Sequence, residues 1–193
     1  VRSRLQLSPD PAYCVWIAHM GQRYIAFKEK LWYETIIPQI AEDMIQESEG
    51  MRIADTYCDP VMAIKTPADV RTMMDMFADH GVPMTESINN REHYAHAMHM
   101  ALGEEVAPGV PKLQILEKSP PNMGCPYLIK TIPQMRFDPK HPLKMADSKN
   151  DHGVIALAYF LISSGAMDRK SGGLFPRLPK WMLPRESAKL IKY

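Results

Sequence analysis

Apolar and polar positions organise the first third of the chain. Tyr13-Cys-Val-Trp-Ile-Ala18 is a continuous aromatic and apolar run, the mark of a strand. His19-Met-Gly-Gln22 suits a turn. Arg23–Trp32 then alternates, with Tyr24, Ala26 and Glu29 set against Ile25, Phe27 and Leu31. Two such runs around a short turn predict a β-hairpin. Ile37, Ile40, Ala41, Met44 and Ile45 recur at the spacing of one helix face, with Pro38 in the first turn and Gly50 at the end. Met51–Cys58 predicts a strand closed by Asp59-Pro60. Thr66-Pro-Ala-Asp69 predicts the start of a helix, because it offers a hydroxyl cap, a proline and an early acid. Val70, Met73, Met74 and Phe77 form its expected buried stripe, and Gly81 its stop.

The remaining pattern continues the alternation of helices and strands. Val82–Glu86 is short and extended. Asn89-Asn90 precedes a helix over Arg91–Leu102. Lys112–Leu116 predicts a short strand and Cys125–Ile132 a short helix. Asp138–Lys149 is polar and contains proline, so a loop is expected. His152–Ser163 carries Val154, Ile155, Leu157, Ala158, Phe160 and Leu161 around most of its circumference, which predicts a deeply buried helix. Beyond Met167, Gly172-Gly173 and Pro176, Pro179 and Pro184 predict an irregular tail outside the central sheet, with Leu174, Phe175, Trp181 and Leu183 packing either back on the domain or on a partner. Strands first, then helices alternating with strands, give an α/β class with a mixed β-sheet flanked by helices on both faces. The expected division is a domain over 1–166 and a tail over 167–193.

Composition adds boundaries. The chain has 193 residues, a length that fits one domain. It is 46% hydrophobic and 23% charged, which argues for a folded chain rather than disorder. Lys and Arg total 23 against 22 Asp and Glu, so the net charge of 23 − 22 = +1 neither demands nor excludes nucleic acid. Only local clustering of charge decides that. The longest apolar run falls short of the ~20 residues that span a bilayer, so no membrane partner is expected. Val1–Asp10 is polar and lacks the apolar stretch of a secretory signal. Cys14, Cys58 and Cys125 are an odd count without close pairing, against a disulfide framework and for a reducing compartment.

Candidate chemistry centres on two acids. Asp59 ends a predicted strand, where α/β sheets place ligands; alone it also reads as a turn aspartate before Pro60. Asp151 opens the buried helix, where simple capping by Asn150 or Asp151 is the competing reading. Together they are candidate oxygen ligands for Mg²⁺ or Mn²⁺. Lys140, Lys144 and Lys149, with His141 and His152, form a basic loop beside Asp151 that suits phosphate contact or simple solvation. His93, His96 and His99 are spread over a helix face and are expected to be solvated. The methionines are expected as core filler. No Gly-x-x-x-x-Gly-Lys-Ser/Thr loop occurs, nor a Gly-x-Ser-x-Gly elbow.

The ordered set is Ser8-Pro-Asp-Pro, the Tyr13–Ala18 strand, Ile53–Cys58 leading into Asp59-Pro60, Gly81-Val82, Leu113-Gln-Ile115, Tyr127-Leu-Ile-Lys-Thr-Ile132 and Asn150-Asp-His-Gly-Val-Ile-Ala-Leu-Ala-Tyr159. Over roughly residues 8–163 it resembles the C-terminal nuclease domain of the large terminase subunit of tailed bacteriophages. The resemblance implies a ribonuclease-H-like fold and a metal-dependent endonuclease that cuts concatemeric viral DNA. It implies that Asp59 and Asp151 hold Mg²⁺ or Mn²⁺, one or two ions, and that His152 lies at the metal; the basic loop, read from its own charge, makes Lys140, Lys144 and Lys149 the expected DNA contacts. The resemblance also implies double-stranded DNA, a portal protein, a small terminase subunit and an ATPase domain of the same full-length chain as partners, in the host cell cytoplasm. Two departures stand out: Arg4-Leu-Gln-Leu-Ser8 has no acid where the family's first strand carries one, with Asp10 the nearest carboxylate, and Ile155 stands where a second helix Asp is common. The alternatives are a catalytically weakened module of the same fold that binds DNA or the portal, and another ribonuclease-H-like nuclease or integrase.

Overall fold

The computed structural model describes residues 11–65, 70–118, 123–146, 150–165 and 190–191. The expected hairpin forms as β1 (Ala12–Met20) and β2 (Arg23–Trp32), paired antiparallel with a bulge at Trp16/Ile17. Helix α1 (Ile37–Glu47) follows, with Pro38 in its first turn. The chain then forms β3 (Tyr57–Cys58), a 3-10 turn over Pro60–Ala63, α2 (Met73–Asp79), β4 (Thr85–Glu86) and α3 (Arg91–Gly103). After these come β5 (Glu105–Ala107), β6 (Val110–Pro111), β7 (Leu113–Leu116) and α4 (Pro126–Thr131). The last described elements are β8 (Phe137–Asp138), β9 (His141–Met145), α5 (His152–Ser163) and β10 (Leu190–Ile191).

The principal sheet runs β1-β2-β7-β10, with β2 and β7 parallel and the other neighbours antiparallel. The protein is therefore α/β with a mixed sheet and, among the described residues, five α-helices. Alternation along the hairpin sends side chains to two cores, as the period of a strand requires. Tyr24 and Ala26, with Tyr13, Val15 and Ile17, join α3, α4 and α5 on one face. Phe27, Trp16 and Ile25 join α1 and α2 on the other. Leu157, Ala158 and Leu161 of α5 are wholly enclosed, which bears out its expected burial.

One close approach locks β7 onto β2. Gly124 donates its N–H to the Phe27 carbonyl at 2.7 Å and sits at φ +128. A Cβ there would fall 2.5 Å from the Glu117 carbonyl oxygen, so only glycine fits.

Four expectations need correction. The helix predicted from Thr66 starts at Met73, because Thr72 and Asp75 form a complete capping box. Thr66–Asp69 lie outside the described residues, and Val70, 82% exposed, precedes the helix instead of lining its stripe. Only the last two residues of the predicted strand Met51–Cys58 pair, with β4. The predicted loop over Asp138–Lys149 contains a hairpin, β8 with β9, despite Pro142; a short strand at a sheet edge tolerates a missing donor. Finally, the chain beyond Met167 does reach the sheet, since Leu190 and Ile191 pair with Leu116 and Ile115 on the edge of β7 that β2 leaves open. Residues 166–189 lie outside the described set, as do the side chains expected there to pack.

An ionic cluster fastens α1 to β2. Lys28 meets Glu47 at 2.5 Å, Lys30 meets Asp43 at 3.1 Å, and Trp32 donates to Asp43 at 2.7 Å. The Trp32 hydrogen bond, then Lys30, holds the Asp43 carboxyl below the usual range, and Lys28 does the same for Glu47. A depressed carboxyl pKa stabilises the fold above the unfolded-state value and loses that contribution as pH falls through the folded value. The melting temperature is therefore expected to fall as pH drops below the ordinary carboxylate range. In Asp43→Asn/Glu47→Gln this acid dependence should be visibly shallower, as read by thermal melts at stepped pH.

Candidate functional site

Helix α5 is the scaffold of the site. Its apolar circumference buries it beneath the sheet and leaves its first residues, Asp151 and His152, at the junction with α3 and the β8–β9 hairpin. Asp151 is 8% exposed and is the N-cap residue of α5, but its side chain makes no capping hydrogen bond to the helix. Capping therefore does not account for it. Tyr94, Met145, Ala146 and Ile155 border the small space beside it. The Nε2 of His152 is shut off from solvent and has no hydrogen-bond partner. An unmet buried nitrogen costs about 1–3 kcal/mol, and such a group calls for an explanation such as a bound ion or water.

Asp59 stands at the end of β3, as the sequence predicts. Its Oδ1 accepts from the Val61 N–H at 2.9 Å and so starts the 3-10 turn. This is the turn role that Asp before Pro commonly plays. The carboxylate also has a neighbour that the sequence does not announce, Tyr159 on α5. Burial first, then the Asp59 carboxylate, raises the Tyr159 hydroxyl far above the usual phenol value. Tyr159 is thus a neutral phenol near Asp59.

Asp151 borders α3 and β9 at the start of α5, whereas Asp59 ends β3 at the head of the 3-10 turn. Tyr159 follows Asp151 by eight positions on one helix, about 12 Å along its axis. Tyr94 fills the interval. Its ring packs edge-on against Tyr159 with centroids 5.6 Å apart, its hydroxyl donates to Asn89 at 2.9 Å, and it borders Asp151. Among the described residues no group of three or more His, Cys, Asp or Glu side chains is arranged to hold a metal ion.

The basic residues divide. Lys140 is exposed at the tip of the β8–β9 hairpin, its N–H donating to Asp138 at 2.8 Å. Lys144 lies on β9, one residue before Met145, which borders Asp151. Lys149, Arg4 and Asp10 lie outside the described residues. Arg136 is exposed, and its carbonyl accepts from the Ala146 N–H; it adds a cation to the hairpin from just outside the expected loop. His93, His96 and His99 are exposed along α3, as a solvated face. The three cysteines are free, and burial raises the Cys14 and Cys58 thiols to about 12 and about 11. Among the described residues, no helix is long and apolar enough to cross a membrane.

Comparison with protein-family models, with curated proteins and with solved structures finds no match for the chain.

The Tyr159 contact separates the structural from the chemical role of Asp59. Tyr159→Phe removes the buried hydroxyl near Asp59 and should cost about 1 kcal/mol. Asp59→Asn keeps the oxygen that Val61 needs, so its cost should stay within about 1 kcal/mol. Urea unfolding of both variants checks this; a loss well beyond that range for Asp59→Asn would make the charge itself structural.

Proposed function

We propose that the chain is a metal-dependent DNA endonuclease domain of the phage terminase type, with a ribonuclease-H-like fold. The observation that carries this reading is Asp151, a carboxylate 8% exposed that does not cap its own helix. Beside it are a buried, unpartnered His152 nitrogen and a hairpin bearing Lys140, Lys144 and Arg136. An anionic oxygen donor next to a basic strand pair suits a divalent cation on one side and a phosphodiester on the other.

In this reading Asp151 is a ligand of Mg²⁺ or Mn²⁺. Asp59 is the second acid, near Tyr159 of α5, and His152 positions water or phosphate. A bound ion there supplies Lewis-acid polarisation of the phosphate and an activated water. The basic hairpin holds the DNA backbone; Lys149, the third lysine of this reading, lies outside the described residues. The family's third acid belongs to the segment around Arg4, where this chain has a cation. Hard divalent ions prefer several anionic oxygens, so the ion is held loosely and Mn²⁺ works better than Mg²⁺. The remaining terminase partners follow from the same reading: the portal, the small subunit and the ATPase domain, acting on concatemeric DNA in the host cytoplasm.

A second reading has its own observation. The Val61 N–H donates to Asp59, which starts the 3-10 turn, as it would to a purely structural carboxylate. That favours a catalytically weakened module of the same fold that binds DNA or the portal.

Nicking of supercoiled plasmid, titrated with Mg²⁺ and Mn²⁺, distinguishes the two. The nuclease reading expects Mn²⁺-dependent nicking, reduced to the metal-free level by Asp151→Asn and increased by Arg4→Asp. Salt-sensitive DNA binding without nicking at any metal concentration would establish the module instead.

A further inference from the structure

Glu29 is a carboxylate the mechanism leaves unused, and three donors engage it. It projects from the central strand β2 to the start of α4, nearly a hundred residues away in sequence. One oxygen accepts the Tyr127 N–H; the other accepts the Leu128 N–H at 3.2 Å and the Tyr13 hydroxyl at 2.6 Å. The residue before α4, Cys125, supplies no side-chain cap, and Pro126 at the first position has no N–H to satisfy. The open donors of the first turn are those of Tyr127 and Leu128. Glu29 meets both from another element, and no cap from α4 itself replaces it.

The same two residues touch α5. A Cβ on Gly153 would lie 3.1 Å from Leu128 Cδ2 and 3.1 Å from Tyr127 Cδ1. The two helices thus meet with no room between them, one residue beyond His152. The Tyr127 ring also packs on Tyr13, with centroids 5.5 Å apart. Packed contacts this close transmit displacement instead of absorbing it.

We propose that Glu29 is the positioning residue for the Asp151–His152 corner: by fixing the first turn of α4 to β2, it fixes the wall against which Gly153 seats the first turn of α5. What that corner does rests on the nuclease reading above; the coupling itself does not. An acceptor-only carboxylate is needed because three donors converge on it. An amide must turn its NH₂ toward one of them. Glu29→Gln therefore keeps the shape and breaks the clamp, and Tyr13→Phe removes one donor and leaves both backbone bonds.

Hydrogen–deuterium exchange of the full chain tests the coupling without any assay of function. In Glu29→Gln, amides of 127–131 and of 153–157 should exchange about tenfold faster, the scale of one lost charged hydrogen bond, with β1 and β7 unchanged. Tyr13→Phe should give the same pattern at smaller amplitude, and stands in if Glu29→Gln does not fold. Faster exchange confined to 127–131, or spread evenly over the chain, overturns the proposal. If the wild type nicks DNA, Glu29→Gln should raise the Mn²⁺ concentration for half-maximal nicking about tenfold. If it does not nick, the nuclease reading fails and the exchange pattern still decides the role of Glu29.

Discussion

Strand β2 is buried on both faces, and the rest of the structure depends on that. Tyr24 and Ala26 point into one core, Phe27 and Ile25 into the other. Fully burying a large apolar side chain contributes roughly 1.5–3 kcal/mol, and a one-residue slip would exchange the two sets. The register Tyr24↔Leu113 and Ala26↔Ile115 with β7 follows from this demand, and Gly124 continues it at Lys28. Because both faces need covering, helices must pack on each side. One side receives α1 and α2, fastened by Lys28, Lys30 and Trp32. The other receives α3, α4 and α5, and with them Asp151 at the start of α5.

The polar groups of β2 extend this role. Lys28 and Lys30 face α1, whereas Glu29, one residue between them, reaches α4. A single strand thereby anchors a helix on each face through charge as well as through apolar burial. Buried or half-buried charges of this kind are costly unless their partners are complete. Here they are complete: Glu47 and Asp43 on one side, three donors on the other. The site at Asp151 inherits its geometry from this arrangement, through α4 and the glycine contact at the start of α5.

How far the sequence reveals this varies with the physics involved. The β1–β2 hairpin, α1 and α5 are legible because each has a strong hydrophobic period. The start of α2 is ambiguous because two capping signals stand in tandem, at Thr66 and Thr72, and local rules do not rank them. The β8–β9 hairpin is hidden by Pro142 and by a polar surface that needs no apolar alternation. Asp59 and Asp151 stand out through their places at a strand end and a helix start. The packing of Tyr94 between Tyr159 and Asp151 does not, since long-range ring contacts leave no periodic trace. Glu29 is visible in the sequence only as a polar position in an alternating strand; its partners lie nearly a hundred residues away.

The central claim is that the Asp151–His152 corner is where a divalent ion meets this chain. Paramagnetic broadening tests it directly: ¹H–¹⁵N spectra of the full chain recorded during titration with Mn²⁺. The account predicts that the amides of 151–153 and of Met145 and Ala146 broaden first, and that Asp151→Asn abolishes this effect. First broadening at the exposed histidines of α3, with the Asp151 region unaffected, would contradict it.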